Sequence, residues 1–459
     1  MSLITVANRV YPDRRDRYGY TFLSRLRAVR AIKRCDDEAV RRLIDTDVLD
    51  TLVRSEVILP LRFVCGDQDE YVFLVQKRIC PAIVPSEWSP MMFADAAILI
   101  LRAEKALQSH GMTVDDPHPW NILFDEGKPY IIDMGAFNVL GTGVHWSADV
   151  DTDIWPAGNV FNGFFLNAVT LIAAGRAHYV RRTLTDWNPI SGSDAALLLI
   201  KKPIMLFQFL SIRLHVAMFR WVWQYFSPII AARWKRKLKS AYLAALSGYA
   251  ARIRSRIIQC QAPVDVDRNI SAAVTDAIPI VIDRNKSQRV LVYGAQRNAV
   301  DWIMAAGALK LLVVSPDDTL IDSLYKSGFG GAGAVMDLRS PTPGAGPGNR
   351  WITPAIERFK SEVGVFFFDL EEMVIEKCLT VSELIQAAHN MSSKAAIIIF
   401  GKLQRNRDIS GRDYGQTTDS VLLTCLKESL GSFKIIHNDC HEMVVTFNSN
   451  NPTFSSNES

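Results

Sequence analysis

From residue 289 to residue 447 the chain alternates short, almost continuously apolar runs with stretches of helical character. Strands that are apolar along their whole length must be covered on both faces, and helices that connect such strands make them parallel. We therefore predict a Rossmann-like α/β sheet whose last two strands form an antiparallel edge. The predicted strands are RVLVYGA, LKLLVVS, GAVMDL, VGVFFFDL, KAAIIIFG, FKIIHND and EMVVTF.

A second informative stretch covers residues 110–137. A helix rich in Ala, Leu and Ile, MMFADAAILILRAEKALQSHG, ends at Gly111 and leads into it. NILF and YIID then read as two strands joined by a hairpin turn over residues 125–128. This layout directs Asp116, Asn121 and Asp133 at one space, with His118 in the same turn.

The D-x-H-P-x-N spacing from Asp116 to Asn121, followed by I-I-D-M-G, resembles the catalytic loop of protein kinases and aminoglycoside-phosphotransferase-like enzymes. The resemblance implies that Asp116 orients a hydroxyl while Asn121 and Asp133 hold magnesium. No G-x-G-x-x-G precedes the loop, and Lys77 is the nearest candidate for a phosphate-binding lysine. We therefore expect a kinase-like remnant, with phosphotransfer as a third alternative for the function.

Residues 86–124 also resemble the N-terminal half of a bacterial family of class I S-adenosylmethionine-dependent methyltransferases, in which a kinase-like remnant precedes the methyltransferase domain. AVMDLRSPTPGAGPGNRW at 334–351 and IERF at 356–359 resemble the second half of that family. The resemblance implies S-adenosylmethionine as cofactor and a small molecule or carbohydrate as methyl acceptor. Size and domain order also resemble rhizobial host-specificity nodulation proteins of the NoeA type, which implies a nodulation-related role.

In such folds the cofactor lies at the carboxyl ends of the first strands. A glycine turn there lets the protein backbone approach the cofactor, and acidic side chains bind the polar groups of the cofactor. The resemblance places cofactor binding at Gly294, Ala295, Gln296, Ser315, Asp317 and Asp337. The family's acid and last glycine after the first strand are replaced here by Val292 and Asn298. We therefore expect a methyltransferase with a degraded cofactor motif, or alternatively a catalytically degenerate binding protein of the same fold.

The candidate catalytic residues are Asp116, His118, Asn121 and Asp133, and Asp116 and His118 are hypothesised to orient an acceptor hydroxyl. Each candidate also has a structural interpretation. Gly294 suits a tight strand-to-helix turn, and Asp337 suits a cap on the loop before Pro341. His118 is typical of a hydrogen-bonded structural histidine, and Trp120 of a core residue.

The charge of the chain is unevenly distributed. From residue 195 to residue 264 there are twelve Lys and Arg and no Asp or Glu, whereas the remaining 40 basic residues face 48 acidic ones. This basic segment indicates contact with an anionic membrane or polyanion, or a solvated helix face that complements the protein's own acids. Its uncharged runs, of which 221–232 is among the longest, are shorter than the roughly 18 residues that span a bilayer, so we predict a buried helical pair and no transmembrane segment.

The seven cysteines are scattered and form no C-x-x-C pair, which argues against a zinc site or a disulfide framework. We predict buried free thiols and no metal. Residues 13–17 are charged where a signal peptide requires an apolar run, so a cytoplasmic location is expected.

The sequence thus predicts an α/β protein with four parts. A kinase-C-lobe-like α+β remnant covers residues 1–190, and a basic helical insert with a linker covers 191–270. A Rossmann-like methyltransferase domain covers 271–450, and a disordered tail covers 451–459. Within the first part, apolar spacing predicts a helix over 37–54 and a small sheet of two or three strands around a turn at 66–69.

Overall fold

The fold was obtained as a computed structural model of the whole chain. The described residues form two compact units within residues 1–261 and 262–459, and the helices of the basic segment belong to the first. The predicted tail and most of the predicted linker lie outside the described residues. Those described are 14–16, 19–24, 26–33, 38–64, 71–140, 153–260, 272, 275, 278, 281–282, 289–308, 310–345, 352–376, 379–401, 418–430, 432–438 and 441–448.

The first unit opens with a five-stranded antiparallel sheet of order β1-β2-β3-β5-β4. Its β4–β5 pair is the predicted one, although the turn at 66–69 lies outside the described residues. The sheet is larger than predicted, because β1 to β3 mix charged and apolar residues and show no clear alternation. The strands are β1 Arg14–Asp16, β2 Gly19–Leu23, β3 Arg27–Lys33, β4 Leu61–Val64 and β5 Tyr71–Lys77.

The helix predicted over 37–54 is two helices, α1 Glu38–Asp45 and α2 Val48–Arg54. The helix predicted before Gly111 is confirmed as α3, Pro90–Leu107. Ser89 caps its first turn, and Gly111 follows its last turn with a φ of 64°. A glycine suits this position because left-handed backbone is strained in other residues.

Four short strands follow α3 and form two antiparallel pairs, β6 with β9 and β7 with β8. The β7–β8 pair is the predicted hairpin. Glu126 and Gly127 both have positive φ in its two-residue turn, which is the backbone that such a tight turn requires. The strands are β6 Met112–Val114, β7 Ile122–Asp125, β8 Lys128–Ile131 and β9 Phe137–Val139.

Most of the described residues from 153 to 260 are helical, and the last helix of this unit packs along α3. Three cations of the basic segment pair with acids elsewhere in this unit, namely Arg220 with Asp153, Lys239 with Glu104 and Arg254 with Asp95. The helices are α4 Gly158–Phe161, α5 Asn167–Ala173, α6 Ala177–Thr185, α7 Gly192–Leu199, α8 Pro203–Phe226 and α9 Ala232–Cys260, and a π-helical turn, Asn162–Leu166, joins α4 to α5.

The prediction of a buried helical pair is wrong for α8. Only one side of this helix is buried, and large apolar residues on its other side are exposed to solvent. An apolar run forms a fully buried helix only when other parts of the protein cover all sides of that helix. Here they cover one side of α8. None of the described helices is both long and apolar enough to cross a bilayer.

The second unit is a seven-stranded sheet with helices between most strands, which confirms the α/β class. Its strands are β10 Arg289–Tyr293, β11 Lys310–Ser315, β12 Ala332–Val335, β13 Ser361–Asp369, β14 Ser392–Gly401, β15 Lys434–Asn438 and β16 Glu442–Asn448. Its helices are α10 Arg297–Ala305, α11 Asp318–Lys326, α12 Ala355–Arg358, α13 Val381–Met391 and α14 Thr418–Leu430, with a π-helical turn at Glu371–Glu376.

The strand order is β12-β11-β10-β13-β14-β16-β15. Strands β10 to β14 pair in parallel, while β16 is antiparallel to both of its neighbours. The predicted parallel layer and its antiparallel edge are therefore both present. One face of the sheet packs its alternate residues, such as Val290, Val292, Val313 and Val365, into a buried cluster with the helices that cover it.

Two cysteine side chains lie within the described residues, and both are free thiols. Neither is buried, contrary to the prediction. Cys80 is exposed in the turn after β5, and Cys425 is half-buried on α14, where Leu422 and Leu426 take the inward positions.

Candidate functional site

Backbone hydrogen bonds bring the predicted loop of the first unit against the turn after β8. The amides of Asp115 and Asp116 both donate to the carbonyl of Ala136, at 2.8 and 3.3 Å. The amide of Ile132 donates to the carbonyl of Asn121 at 2.9 Å. The loop that carries Asp116 and Asn121 therefore lies beside the segment that carries Asp133.

Within this loop Asn121 holds Asp116 in place. Its Nδ2 donates to the Asp116 carbonyl at 3.1 Å and to Asp116 Oδ2 at 3.0 Å. The first contact fixes the backbone of the loop, and the second fixes the carboxylate. Asp116 and Asn121 are thus brought together as the sequence predicted.

Asp133 contacts a residue that the sequence did not single out. Its Oδ1 accepts from the amide of Gly135 at 2.8 Å and lies 2.9 Å from Nη1 of Arg30. Arg30 is buried in the middle of β3. The available signal was a cation within the apolar run of RAVRAIK, a position that demands an acidic partner once it is buried.

The proposal of Lys77 as the phosphate-binding lysine is not supported by its contacts. Lys77 Nζ lies 2.7 Å from Asp125 and 3.1 Å from Glu126, in the β7–β8 turn. Burial disfavours its charge, but these hydrogen bonds prevail and raise the pKa of Lys77. Lys77 therefore binds the acidic residues of the β7–β8 turn, while Arg30 provides the cation next to Asp133.

His118 sits in an aromatic cluster. Its ring centre lies 4.2 Å from that of Phe164 and 5.6 Å from that of Trp187, and its Nδ1 accepts from the amide of Trp120 at 3.3 Å. Burial lowers the pKa of His118 to about 4, so the imidazole is neutral at pH 7. With Nδ1 as acceptor, the proton of the neutral ring is on Nε2.

Trp120 is half-buried rather than fully in the core. Its ring stacks on Trp187 with centres 4.5 Å apart and planes 6° from parallel. Trp187 has a φ of 58° and is 42% exposed. The two indoles therefore form a partly open aromatic wall next to the loop.

In the second unit, the carboxyl ends of the parallel strands meet at one edge, so Gly294 after β10 and Asp337 after β12 lie on the same side of the sheet. Gly294 has a φ of 68°, and its amide donates to the carbonyl of Val314 at 3.1 Å. A Cβ at this position would lie 2.5 Å from the carbonyl oxygen of Phe367. Glycine is thus required for a close approach between neighbouring strands. Next to it, Ala295 is buried and Gln296 is exposed.

Ser315 is buried, and its Oγ accepts from the amide of Asp317 at 3.1 Å. Asp317 is exposed and caps α11 through Oδ1, which accepts from the amide and hydroxyl of Thr319 at 2.8 and 2.7 Å. Asp337 binds Arg339 through both carboxylate oxygens, so the expected capping of its own loop is observed. Ser315, Asp317 and Asp337 all lie at the edge where the sequence placed them.

Two further residues at this edge were missed. Tyr293 is fully buried at the end of β10, and its hydroxyl accepts from the amide of Leu338 at 3.4 Å. Burial raises the pKa of Tyr293 above its ordinary value, so it stays a neutral phenol. Asp369 ends β13 and caps the π-helical turn by accepting from the amides of Glu371 and Glu372.

No protein-family model matches the chain, and no curated protein matches it. Two of the solved structures that are similar to this chain illustrate how weak the likeness is. A TehB-like SAM-dependent methyltransferase from Corynebacterium glutamicum is similar at 14% identity over 44% of this chain and 95% of its own, with a TM-score of 0.26. Vaccinia related kinase 3 is similar at 15% identity over 29% of this chain and 49% of its own, with a TM-score of 0.22, so this chain spans about half of that kinase. Neither likeness establishes what this chain does.

Proposed function

We propose that this chain is a transferase of the S-adenosylmethionine-dependent methyltransferase type, with the cofactor bound by the second unit at the carboxyl edge of its sheet. The observation that carries the proposal is the strand order 3-2-1-4-5-7-6 with an antiparallel seventh strand. In open sheets of this kind, ligands bind outside the carboxyl ends where the strand order reverses. Here that point lies between β10 and β13, beside Gly294.

The donor set at this edge fits part of the cofactor. Asp317 uses only Oδ1 in its contacts with other described residues, which leaves Oδ2 to accept from a ribose hydroxyl. Gln296 is the N-cap residue of α10, and its side chain makes no capping hydrogen bond. Its side-chain amide is therefore available to the amino-acid end of the cofactor. Asp337 would bind the adenine amino group only after Arg339 moves away.

When bound, S-adenosylmethionine supplies an electrophilic methyl group on a sulfonium. The chain's own contribution would be to align an acceptor oxygen with that methyl group. We propose a small-molecule or carbohydrate hydroxyl as acceptor. Nodulation-related host specificity and a cytoplasmic location remain predictions from the sequence.

Calorimetric titration of the full chain with S-adenosylmethionine tests the proposal. We expect micromolar binding that Asp317→Asn weakens at least about ten-fold, because asparagine keeps the helix cap and removes the negative charge. Asp301→Asn, an exposed acid on α10, is the matched control and should bind normally. Millimolar or absent binding would instead support a non-enzymatic protein of this fold. Mass spectrometry of candidate acceptors then detects the added methyl group.

Phosphotransfer is a second candidate, because a buried cation, Arg30, lies against Asp133 next to the Asp116–Asn121 pair. A guanidinium in this position could neutralise a phosphate. It also neutralises the carboxylate that would bind magnesium, and the described residues include no group of three or more His, Cys, Asp or Glu able to hold a metal. Magnesium-dependent ATP binding that Asp133→Asn abolishes would favour this candidate.

A further inference from the structure

Helix α8 is apolar on two opposite sides. One side is buried in the first unit through Met205, Phe209, Ile212 and Val216. The other carries large apolar side chains at steps of three or four residues, which places them on one stripe of a helix with 3.6 residues per turn. Phe207 and Leu214, for example, are 75% and 71% exposed. This exposed stripe consists of Ile204, Phe207, Leu210, Leu214, Met218, Trp221 and Tyr225.

The exposed stripe extends beyond α8 at both ends. Leu197 and Ile200 precede it, and Ile229 follows it in the connection to α9. An apolar groove of about 500 Å³ lies between the end of α8 and the start of α9. The groove is lined by Val222, Phe226, Ile230, Trp234, Lys237 and Leu238. Contiguous apolar surface on this scale marks an interaction site.

Cations surround the stripe. Lys201 and Lys202 precede α8, Arg213 lies on one flank of the stripe, and four more begin α9. Lys237 Nζ lies 4.7 Å above the ring of Trp234, at the groove. No carboxylate among the described residues pairs with any of these seven cations, unlike Arg220, Lys239 and Arg254. The four on α9 are Arg233, Lys235, Arg236 and Lys237.

We propose that α8 and the first turns of α9 form a docking surface that lies flat on an anionic lipid bilayer. The apolar stripe enters the acyl boundary, Trp221, Tyr225 and Trp234 lie at the level of the headgroups, and the seven cations contact anionic phosphates. A stripe that contains indole and phenol rings suits this boundary, since such rings are apolar with one polar atom. The surface docks the protein without spanning the membrane.

Charge and composition favour a bilayer over other occupants. A symmetric dimer through this surface would oppose cations with cations, because the segment from 195 to 264 contains no acid. A nucleic acid would use the cations and leave the exposed stripe in water. An anionic bilayer satisfies both parts of the surface.

Cosedimentation of the full chain with vesicles tests the proposal. We expect binding to phosphatidylcholine vesicles that contain about one third phosphatidylglycerol, weak binding to phosphatidylcholine alone, and a decrease with added salt. A Phe207→Glu/Leu214→Glu variant should lower the partition coefficient more than about ten-fold. The matched control is Leu26→Glu, which changes a leucine that is 68% exposed elsewhere in the first unit. Circular dichroism checks that all variants are folded.

The cations are tested separately. Replacing Arg233, Lys235, Arg236 and Lys237 by glutamine should lower the partition coefficient about five-fold for each removed charge at low salt. Absence of binding to anionic vesicles would overturn the proposal, as would unchanged binding of the Phe207→Glu/Leu214→Glu variant. Tight binding of a single-stranded RNA oligonucleotide without vesicle binding would overturn it too. So would a dimer in analytical ultracentrifugation that the same variant dissociates while vesicles bind neither protein.

Discussion

Arg30 Nη1 lies 2.9 Å from Asp133 Oδ1, which joins the middle of β3 to the turn after β8. The arginine side chain is 11% exposed and the aspartate side chain 32%. The pair thus connects the five-stranded sheet to the segment beside the loop that carries Asp116 and Asn121. The removal of one partner of such a pair costs more stability than the intact pair contributes, because it leaves an unpaired charge in a poorly solvated place.

Asp133→Asn should therefore destabilise the first unit. We expect a loss of about 2 kcal/mol in the free energy of unfolding, between the small effect of exposed pairs and the larger one of fully buried pairs. Urea denaturation followed by circular dichroism measures it. Glu56→Gln, which breaks the exposed pair with Lys128, is the control and should change little. Equal effects of the two substitutions would show that the Arg30–Asp133 contact is unimportant for folding.

The pair Glu104–Lys239 is buried more deeply, at 2.6 Å. Glu104 also accepts from the hydroxyl of Thr113 and from the amide of Val114. We expect Glu104→Ala to cost about 3 to 5 kcal/mol of unfolding free energy, because it leaves Lys239 charged and buried. A Glu104→Gln/Lys239→Met double variant should be more stable than the sum of the single changes predicts. Additive single effects in urea titrations would contradict this coupling.

Local features of the sequence predicted the elements that are determined by interactions between residues close to each other in the chain. The β7–β8 hairpin and the end of α3 at Gly111 follow from turn and cap chemistry, and the parallel layer follows from strands that are apolar along their whole length. The position of Gly294 and Asp337 at one edge follows in turn from that parallel layer. These results need no knowledge of distant contacts.

The sequence failed where the outcome depends on a distant partner. Nothing near Arg30 in the sequence shows that Asp133 pairs with it, so Lys77 was preferred as the candidate cation. The need for glycine at 294 depends on the carbonyl of Phe367. The exposed stripe of α8 reads as a buried run, since apolarity does not reveal whether another surface covers it. The apolar pattern of a helix also does not identify the partner that covers its exposed stripe.

Gly294 and Gly328 provide a matched pair, because both have a φ of 68°. An added Cβ meets no atom within 4 Å at Gly328, but lies 2.5 Å from the Phe367 carbonyl oxygen at Gly294. Gly328→Ala should cost about 1 to 2 kcal/mol from left-handed backbone alone, and Gly294→Ala about 3 to 4 kcal/mol. Thermal and urea unfolding of both variants measures the difference. Equal losses would mean that the strands separate freely at this edge.

The buried imidazole of His118 should make the stability of the first unit depend on pH. Its pKa is about 4 in the folded chain and about 6.5 when unfolded, so the unfolded state binds the extra proton between these values. Stability is therefore complete above about pH 6.5 and falls as the pH drops through 4, by up to about 3 kcal/mol. Urea midpoints at several pH values should show this slope in the wild type and in the exposed control His178→Gln. His118→Phe keeps an aromatic ring against Phe164 and Trp187 but has no proton to gain, so its slope should be shallower; an unchanged slope would place the titrating group elsewhere.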